Sequence, residues 1–583
     1  MFLLLSLVLN HAYLSGGFVA DDLLLVNALR QQPLPYSRWL GLWSVGIEQV
    51  PDFTNLWWFE RGTQGGFFRP LPSLILEGSY RLFKDNALPL HLLSIVLHGL
   101  VAFTTFRLFA RLTGRALVAF VAGLLFITCE DHSLTVGWIA TMTDLLCVTF
   151  INAALLAHVS WRETGRPILL ATSLLCLALA LTCKESAVVA PLSVVLLEWL
   201  LTRSEKAPFA LAIKRSWYSA AILFVFLAAY ELLHLGGMGN LLYLDPLAQT
   251  RLYLGNVATA MPVMFSGALT LIPPILTLFA PHTSVPLALL GGLVWLLFLW
   301  GIWPMRREPV VQWSLALFVL ALLPQAATDP SGRLLYYPFV PMSYLLALLL
   351  CTTAPLARRC HQRGEEPPRR PPIALPTRIW GWYVLIGLFL PGAVFSAVLP
   401  KTYLASMQRP EHDVLTSLDV VRAHVEKNPD GTVVILNTSG QFLTLYVGGI
   451  YQFNLRRTVP TRILSSLNGQ VTLERTGLRS FVLSTDRPGW LGNLFARVVR
   501  CNRQLTPGRV YRTSLFDAAL RRLTPDRTDV LSVEFHFRRP LDDPSLLFLT
   551  WNGRAFVPLD VAALELGRRM PLANTSDIWR SMT

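Results

Sequence analysis

Long apolar stretches constrain the fold of this chain more than any other feature of its sequence. A helix needs about 20 apolar residues to cross the hydrocarbon core of a bilayer, and eleven stretches approach that length. Only 15% of the residues are charged, against about 25% in soluble domains. We therefore predict a polytopic all-α membrane bundle of about eleven transmembrane helices. The predicted spans are residues 1–19, 87–106, 117–129, 136–158, 168–183, 187–201, 217–235, 285–303, 310–327, 334–351 and 379–399.

Basic residues between the spans predict the orientation of the bundle. If these eleven helices cross and no others do, all five clusters of Lys and Arg fall on one side of the membrane. Cytoplasmic loops carry an excess of such residues, so we expect the N-terminus in the cytoplasm and the C-terminal domain outside. The clusters are Arg107, Arg111 and Arg115; Arg162 and Arg166; Arg203, Lys206, Lys214 and Arg215; Arg306 and Arg307; and the run from Arg358 to Arg378.

One further apolar stretch does not fit this count. Residues 255–281 are apolar enough to span, but one more crossing would place the later basic loops outside. Pro262, Pro273 and Pro274 would also break a continuous helix. We predict that this stretch forms interfacial or re-entrant helices in an outer loop.

The spans divide the chain into two predicted domains. Residues 1–400 form the transmembrane domain, with outer loops at 19–86 and 236–284 and a Pro- and Arg-rich cytoplasmic linker at 355–378. Residues 401–583 form a mixed α/β extracytoplasmic domain. The first span could be read as a signal peptide, but it lacks a basic n-region and a clear cleavage site, so we expect it to be a membrane helix.

Short patterns predict the elements of the C-terminal domain. Residues 432–437 and 480–483 are apolar runs and 529–537 alternates apolar with polar, so all three predict strands. Residues 517–523 predict a short helix. No catalytic group of residues stands out in this domain.

The net charge of +14 does not indicate nucleic acid as a partner. The basic residues lie in short clusters between apolar stretches, which is typical of loops that face anionic lipid. The seven cysteines show no spacing that indicates a structural zinc site. We expect a lipid bilayer as partner and no nucleic acid.

The candidate site begins with two carboxylates after the first span. Asp21 and Asp22 could deprotonate a hydroxyl or hold a divalent cation, or simply begin a solvated loop or cap a helix. Arg69 follows an aromatic segment, which suits the level of the lipid headgroups or a groove for a sugar or lipid headgroup. The aromatic residues are Trp57, Trp58, Phe67 and Phe68.

Several more polar groups fall at or near the outer ends of predicted spans. His91 and His98 are seven residues apart on one helix face, where hydrogen bonding inside the bundle is favoured over a metal. Glu130 and His132 follow the third span, and Asp144 lies near the start of the fourth. Ionisable residues at such positions are costly, so they are candidates for function.

Two outer turns carry cations suited to phosphate. Lys184 and Glu185 interrupt the apolar sequence between two spans, although this pair could also be a plain solvated turn. Arg333 precedes Tyr336 in another turn. Lys provides a point charge and Arg a two-pronged fork for phosphate oxygens. Carboxylates beside such cations predict a reaction on a lipid phosphate, in which the carboxylate activates an acceptor and the cations stabilise the departing phosphate.

Six short motifs in order give the chain a family resemblance. It resembles the GT-C superfamily of membrane glycosyltransferases, especially the protein O-mannosyltransferase-like branch (glycosyltransferase family 39) and its relatives with tetratricopeptide repeats, although no such repeat follows the last span. The resemblance covers about residues 15–350. The motifs are ADD (20–22), FRPL (68–71), HLLSIVLH (91–98), HSLTVGWIATMTDLL (132–146), CKESA (183–187) and GRLLYYP (332–338).

The resemblance implies a fold, a reaction and a set of roles. It implies a GT-C-like bundle that transfers a sugar, with inversion, from a polyprenyl- or dolichyl-phosphate donor to a protein, lipid or glycan acceptor on the outer face. Asp21 and Asp22 would be catalytic, and a divalent cation there is left open. The donor phosphate would be held by Lys184, Arg333 and Arg69. The residues that would shape the site are His91, His98, Glu130, His132, Asp144, Glu185 and Tyr336.

Two other functions remain as alternatives to this enzyme. A transporter or flippase of lipid-linked sugars would place its polar groups near the bilayer midplane and show internal repeats, and neither is visible here. A catalytically inactive scaffold of the same fold is the other alternative, motivated by family residues that this chain lacks. We expect a bacterial inner membrane rather than an endoplasmic reticulum protein, because no retention signal or repeat array is present.

Overall fold

Helices account for almost all of the regular structure up to residue 415, and strands for most of it afterwards. The structure is a computed structural model of the 583-residue chain. It describes residues 1–30, 42–44, 56–60, 67–203, 205, 208–233, 235, 241–353, 375–467, 471–501 and 504–572. Residues 355–374 of the predicted cytoplasmic linker lie outside the described residues, and so does Lys206.

The helices of the first part are joined by short turns. Two hairpins reverse at Gly114 and Gly165, each with a φ of 69°, a left-handed conformation that glycine adopts without a steric penalty. The helices are α1 (Phe2–Asn10), α2 (Asp21–Arg30), α3 (Pro70–Phe83), α4 (Leu88–Thr113), α5 (Ala116–Ile127), α6 (His132–Gly137), α7 (Met142–Thr164), α8 (Pro167–Leu181), α9 (Val189–Thr202), α10 (Pro208–Leu232), α11 (Thr250–Leu269), α12 (Leu276–Phe279), α13 (Ser284–Ile302), α14 (Pro309–Gln325), α15 (Phe339–Thr353), α16 (Leu375–Tyr383) and α17 (Leu390–Leu415).

Apolar helices of spanning length are present, as expected of an integral membrane protein. Seven helical segments within the described residues are long and apolar enough to cross a membrane, and five shorter apolar helices accompany them. The predicted count of about eleven spans is not confirmed. Six of the seven long segments coincide with predicted spans, and the other five predicted spans correspond to the shorter helices. The seventh long segment is α11, which the sequence placed in an outer loop and which is itself of spanning length and composition.

The prediction that Pro262 would break a helix is wrong. Helix α11 continues through Pro262, and it packs along α13 at Gly291. A Cβ atom at Gly291 would lie 1.7 Å from the carbonyl oxygen of Pro262. The missing side chain therefore lets α13 approach the backbone of α11 closely, and packing of this kind tolerates a proline inside a helix at membrane depth.

A buried polar cluster joins three helices at the C-terminal end of α7. Glu198 of α9 accepts hydrogen bonds from His158 (2.7 Å, to Oε1) and from Nε of Arg162 (3.1 Å, to Oε2). The other ring nitrogen of His158 bonds to the hydroxyl of Tyr218 on α10. The side chains of His158 and Glu198 are 0% exposed. Charged groups this deep require their partners, so the cluster holds α7, α9 and α10 in register.

The C-terminal domain contains two sheets. Helix α17 runs through the predicted domain boundary at residue 400, and α18 (Leu418–Lys427) leads into the sheets. The elements are β1 (Thr432–Ile435), α19 (Val447–Leu455), β2 (Thr461–Ile463), β3 (Val471–Arg475), β4 (Ser480–Ser484), α20 (Leu494–Arg497), β5 (Val510–Arg512), β6 (Phe516–Leu523), β7 (Val530–Phe537), β8 (Leu546–Trp551), β9 (Phe556–Pro558) and β10 (Arg569–Leu572). In the first sheet, β1 lies between β2 and β8 and is parallel to both, and β9 pairs with β8 at the edge. The second sheet is antiparallel, in the order β10-β3-β4-β7-β6-β5.

Three of the four predicted elements in this domain are confirmed. Strands β1, β4 and β7 lie where the sequence predicted strands. The predicted helix at 517–523 is wrong, because these residues belong to β6. Strand β6 buries Phe516, Ala518 and Leu520 and pairs with β5 and β7 on either side, and these cross-strand contacts outweigh local helix propensity.

The aromatic residues Trp57 and Trp58 lie inside the C-terminal domain. They are 2% and 0% exposed, and Nε1 of Trp57 donates a hydrogen bond to the carbonyl oxygen of Leu464 at 2.9 Å. The ring of Trp57 packs edge-on against Trp490, Tyr511 and Phe535. For these two residues, neither a headgroup position nor a sugar groove is correct. They anchor the first outer loop to the C-terminal domain.

Candidate active site

Asp21 and Asp22 begin helix α2, and their side chains have different partners. The carboxylate of Asp22 is 1% exposed. Its Oδ1 accepts a hydrogen bond from the backbone N–H of Ala140 at 2.7 Å, and its Oδ2 accepts one from the N–H of Val19 at 3.2 Å. The preceding Ala20 has a φ of 51°, a strained conformation for a residue with a side chain. Asp22 thus holds the turn before α2 against the segment that precedes α7.

Asp21 instead faces side chains. Its Oδ1 accepts a hydrogen bond of 2.7 Å from the hydroxyl of Tyr446, in the C-terminal domain. Burial raises the pKa of Asp21 above its usual range, while Tyr446 and the charges of Arg333 and Arg69 lower it against that effect. A carboxylate with a raised pKa is suited to accept a proton near neutral pH.

Lys184 and Asp144 form a buried ion pair. Nζ of Lys184 lies 2.5 Å and 2.6 Å from the two carboxylate oxygens of Asp144. Their side chains are 12% and 7% exposed. Burial lowers the pKa of the Lys184 ammonium, Asp144 raises it against burial, and the nearby charges of Arg69 and Arg333 lower it further. The three cations are therefore close enough to repel one another.

Arg69 and Glu185 form the second ion pair of the site. Nη2 of Arg69 lies 2.9 Å from Oε2 of Glu185, and Nε lies 3.3 Å from the same oxygen. The guanidinium also stacks over the ring of Phe67 at 4.5 Å from its centroid. These contacts fix the plane of the guanidinium while part of its hydrogen-bonding capacity stays available.

Arg333 is the third cation. It follows Gly332 in the turn before α15 and lies over the ring of Trp138, with the guanidinium carbon 5.4 Å from the centroid. Within the described part of the chain, Arg333 has no carboxylate partner at ion-pair distance. The set Asp21, Arg69, Asp144, Lys184, Glu185 and Arg333 thus contains one carboxylate, Asp21, and one cation, Arg333, that take part in neither of these two ion pairs.

The three predicted histidines do not form a single cluster. Nδ1 of His98 lies 3.0 Å from the hydroxyl of Tyr336, and the ring of His132 lies 5.7 Å from His98 and 4.7 Å from Tyr336. His91 contacts the carbonyl oxygen of Gly17 at 3.3 Å instead. His98, His132 and Tyr336 therefore form one buried cluster, and His91 supports the turn that leads to Asp21.

Glu130 faces α17. A Cβ atom at Gly392 would lie 3.3 Å from its Oε2. Burial raises the pKa of Glu130 to about 7, and burial together with the charge of Glu130 raises the pKa of Asp131. Among the described residues, no group of three or more His, Cys, Asp or Glu side chains could hold a metal ion. Both oxygens of Asp22 are also engaged by backbone N–H groups, so a cation at Asp21 and Asp22 receives no support.

Sequence reasoning missed the contribution of the C-terminal domain. Tyr446 lies between two short helical segments and contacts Asp21, although this domain showed no catalytic pattern. Tyr243, from the loop between α10 and α11, packs edge-on against Phe67 with ring centroids 5.2 Å apart, and Arg69 stacks on the same ring. A single tyrosine in a loop carries no sequence signal, so only the folded chain reveals these neighbours.

Comparison with a family model supports the motifs. Residues 69–232 match the model for dolichyl-phosphate-mannose-protein mannosyltransferase. This match confirms the predicted resemblance. The mannosyltransferase match includes Arg69, Asp144, Lys184 and Glu185, and so both ion pairs of the site. It does not reach Asp21 or Arg333. Comparison with curated protein sequences gives no match.

Solved structures of membrane glycosyltransferases are also similar to the chain. The archaeal oligosaccharyltransferase AglB from Archaeoglobus fulgidus, solved with an inhibitory peptide and a dolichol-phosphate, is 13% identical with a TM-score of 0.44 over 79% of this chain and 63% of AglB. The chain thus spans less than two thirds of the length of AglB. ArnT from Cupriavidus metallidurans, solved with undecaprenyl phosphate, is 12% identical with a TM-score of 0.41 over 79% of this chain and 85% of ArnT. Similarity at this level carries no information on substrate.

Proposed function

We propose that the protein is an inverting glycosyltransferase that moves a sugar from a polyprenyl- or dolichyl-phosphate donor to an acceptor hydroxyl or amide. The observation that carries the proposal is the pairing pattern of the site. Lys184 and Arg69 each have a carboxylate partner, whereas Arg333 and Asp21 do not share in those ion pairs. A phosphate can therefore bind at Arg333 without displacing a carboxylate from it.

The chemistry divides between these two groups. The carboxylate of Asp21 accepts the proton of the acceptor as the acceptor attacks the anomeric carbon from the face opposite the phosphate. The bond from that carbon to the phosphate oxygen breaks, and the leaving phosphate gains negative charge. Arg333, with Lys184 and Arg69 nearby, stabilises that charge in a partly buried site, where electrostatic interactions are strong.

We place this reaction on the outer face of a multi-pass membrane protein of the bacterial inner membrane. Asp21, Arg69, Lys184 and Arg333 all lie between spans, in segments that the predicted topology of eleven crossings assigns to the side opposite the cytoplasm. The donor headgroup would then enter from the outer leaflet, and the C-terminal domain would lie on the same side as the acceptor.

Turnover of a labelled donor tests the proposal. Purified protein in lipid nanodiscs is incubated with radiolabelled polyprenyl-phosphate monosaccharides, beginning with the mannose donor, and sugar release or transfer is measured. Asp21→Asn and Arg333→Ala should both abolish it. Matched controls are Asp419→Asn and Arg422→Ala, an exposed pair on α18, which should retain it.

The other outcomes separate the alternatives. Tight binding of polyprenyl phosphate without turnover of any donor would favour an inactive scaffold. Movement of an intact lipid-linked sugar across a proteoliposome membrane would favour a flippase. Turnover that survives both Asp21→Asn and Arg333→Ala would place the chemistry elsewhere in the chain and refute the assignment.

A further inference from the structure

The C-terminal domain reaches the candidate base directly. Helix α19 packs against α2, where Nδ2 of Asn27 donates to the carbonyl oxygen of Gly449 at 2.8 Å and Arg30 donates to that of Phe453 at 2.7 Å. Tyr446 immediately precedes α19, is 5% exposed, and donates its hydroxyl to Asp21. The hydrogen bonds between α2 and α19 therefore fix the helix that Asp21 begins, and Tyr446 contacts the Asp21 side chain itself.

A short stretch of the same domain contacts both predicted outer loops and the turn before α15. We call residues 493–501 the clamp segment. The carbonyl oxygen of Val499 accepts from the N–H of Glu60 at 3.0 Å, and that of Arg500 accepts from the N–H of Leu241 at 2.9 Å. The guanidinium of Arg497 lies 2.6 Å from Oδ2 of Asp329. One segment of nine residues thus contacts the loops that precede α3, α11 and α15.

The contact with Asp329 bears on Arg333. Asp329 and Arg333 lie in one turn, whose start is held by Asn256, which donates to the carbonyl oxygens of Ala326 (2.7 Å) and Thr328 (3.2 Å). At its other end, a Cβ atom at Gly332 would lie 2.1 Å from Oδ1 of Asp131. The turn is therefore closely fitted at both ends, and the ion pair with Arg497 ties its middle to the C-terminal domain.

We propose that the C-terminal domain completes the active site. Tyr446 orients Asp21 by its hydrogen bond, and Arg497 holds, through Asp329, the turn that carries Arg333. This inference rests on the proposed function, in which Asp21 and Arg333 act on acceptor and donor. Tyr446 and Arg497 are then positioning residues, and the two charges that stay outside the ion pairs are both placed by a domain that showed no catalytic pattern in its sequence.

The first test is the pH profile of kcat/KM in Tyr446→Phe. A hydrogen bond to a carboxylate favours its charged form, so its loss should move the acid limb of the profile up by about one pH unit, which is about a tenfold loss on the acid side. Above the shifted limb, the variant should approach the wild-type rate. Tyr451→Phe, which loses a buried hydroxyl contact to Ser417 on the far side of α19, should leave the limb in place. An unshifted limb in Tyr446→Phe would refute the role of Tyr446.

The second test needs no turnover. Binding of polyprenyl phosphate to the full chain in nanodiscs should weaken about tenfold in Arg497→Ala and in Asp329→Ala, because Arg333 is no longer held in place. The exchanged pair, Arg497→Asp with Asp329→Arg, should restore most of the affinity, and Arg422→Ala should not change it. Unchanged affinity in Arg497→Ala, or no rescue by exchange, would overturn the inference.

The two tests separate this inference from the proposed function. Wild-type protein that transfers no sugar but shows the loss and rescue of phosphate binding would refute the transferase and leave the positioning of Arg333 intact. Wild-type protein that transfers sugar, with a pH profile and affinity that the variants do not alter, would support the transferase and refute the inference.

Discussion

Replacing Asp144 by alanine should destabilise the protein by about 3–5 kcal/mol, the usual cost of removing one partner from a buried ion pair. Lys184 would keep its charge in a buried position with no carboxylate partner and with two arginines nearby. The pair qualifies as buried because the two side chains are 12% and 7% exposed.

Simple electrostatics gives a magnitude consistent with that range. At 2.5 Å and an effective dielectric constant of about 20, the attraction between two unit charges is about 7 kcal/mol. Water that enters the space left by the alanine solvates the Lys184 ammonium and so offsets part of the lost attraction energy. The repulsion from Arg69 and Arg333 acts in the opposite direction, so the net loss remains several kcal/mol.

A double-mutant cycle measures the effect. Unfolding in mixed detergent is compared for the wild type, Asp144→Ala, Lys184→Met and the double variant, with Glu163→Ala as a control. Glu163 pairs with Arg111 at the exposed end of α4, and such a pair is worth about 1 kcal/mol or less. The double variant should recover most of the stability while its affinity for polyprenyl phosphate falls. A loss below about 1 kcal/mol in Asp144→Ala would refute the reasoning that the pair is buried and coupled.

Three other predictions follow from the same structure. Asp22→Ala leaves two buried backbone N–H groups without acceptors, so the free energy of unfolding should fall by about 2–4 kcal/mol, whereas Asp21→Asn should abolish turnover and leave that free energy nearly unchanged. Because the pKa of Asp21 is raised and its charged form accepts the proton, kcat/KM should fall as the pH decreases through that raised pKa, measured between about pH 5 and 9. Glu198→Ala should cost about 3–5 kcal/mol in detergent unfolding, because His158 and Arg162 lose their partner, and Glu198→Gln should cost less.

The convergence of distant motifs could be predicted from the sequence. Apolar spans and basic loops place the turns with Asp21, Arg69, Lys184 and Arg333 on one side, and the structure brings these four residues into one electrostatic neighbourhood. Such convergence follows if the eleven predicted helices cross and residues 255–281 do not, since every second turn of the bundle then lies at the same end. Their catalytic roles stay predictions.

The partners within that neighbourhood could not be predicted. The resemblance implies that Asp144 and Glu185 shape the site, but it does not indicate that each forms an ion pair with one of the cations. Which carboxylate reaches which cation depends on helix rotation and side-chain conformation, and neither is encoded in spacing. The prediction for Trp57 is wrong for a related reason. An aromatic residue near a membrane surface has the same local sequence whether it contacts lipid or the core of another domain.

The two adjacent aspartates show most directly what the fold adds to the motif. Successive residues on an α-helix point about 100° apart, so a pair at the start of a helix cannot serve one site equally. The backbone N–H groups of Val19 and Ala140 each donate to one oxygen of Asp22, and Asp22 is 1% exposed. Asp21 faces Tyr446 and feels the charges of Arg333 and Arg69. We therefore expect Asp22 to stabilise the strained turn that positions Asp21, and Asp21 to be the aspartate that meets the acceptor.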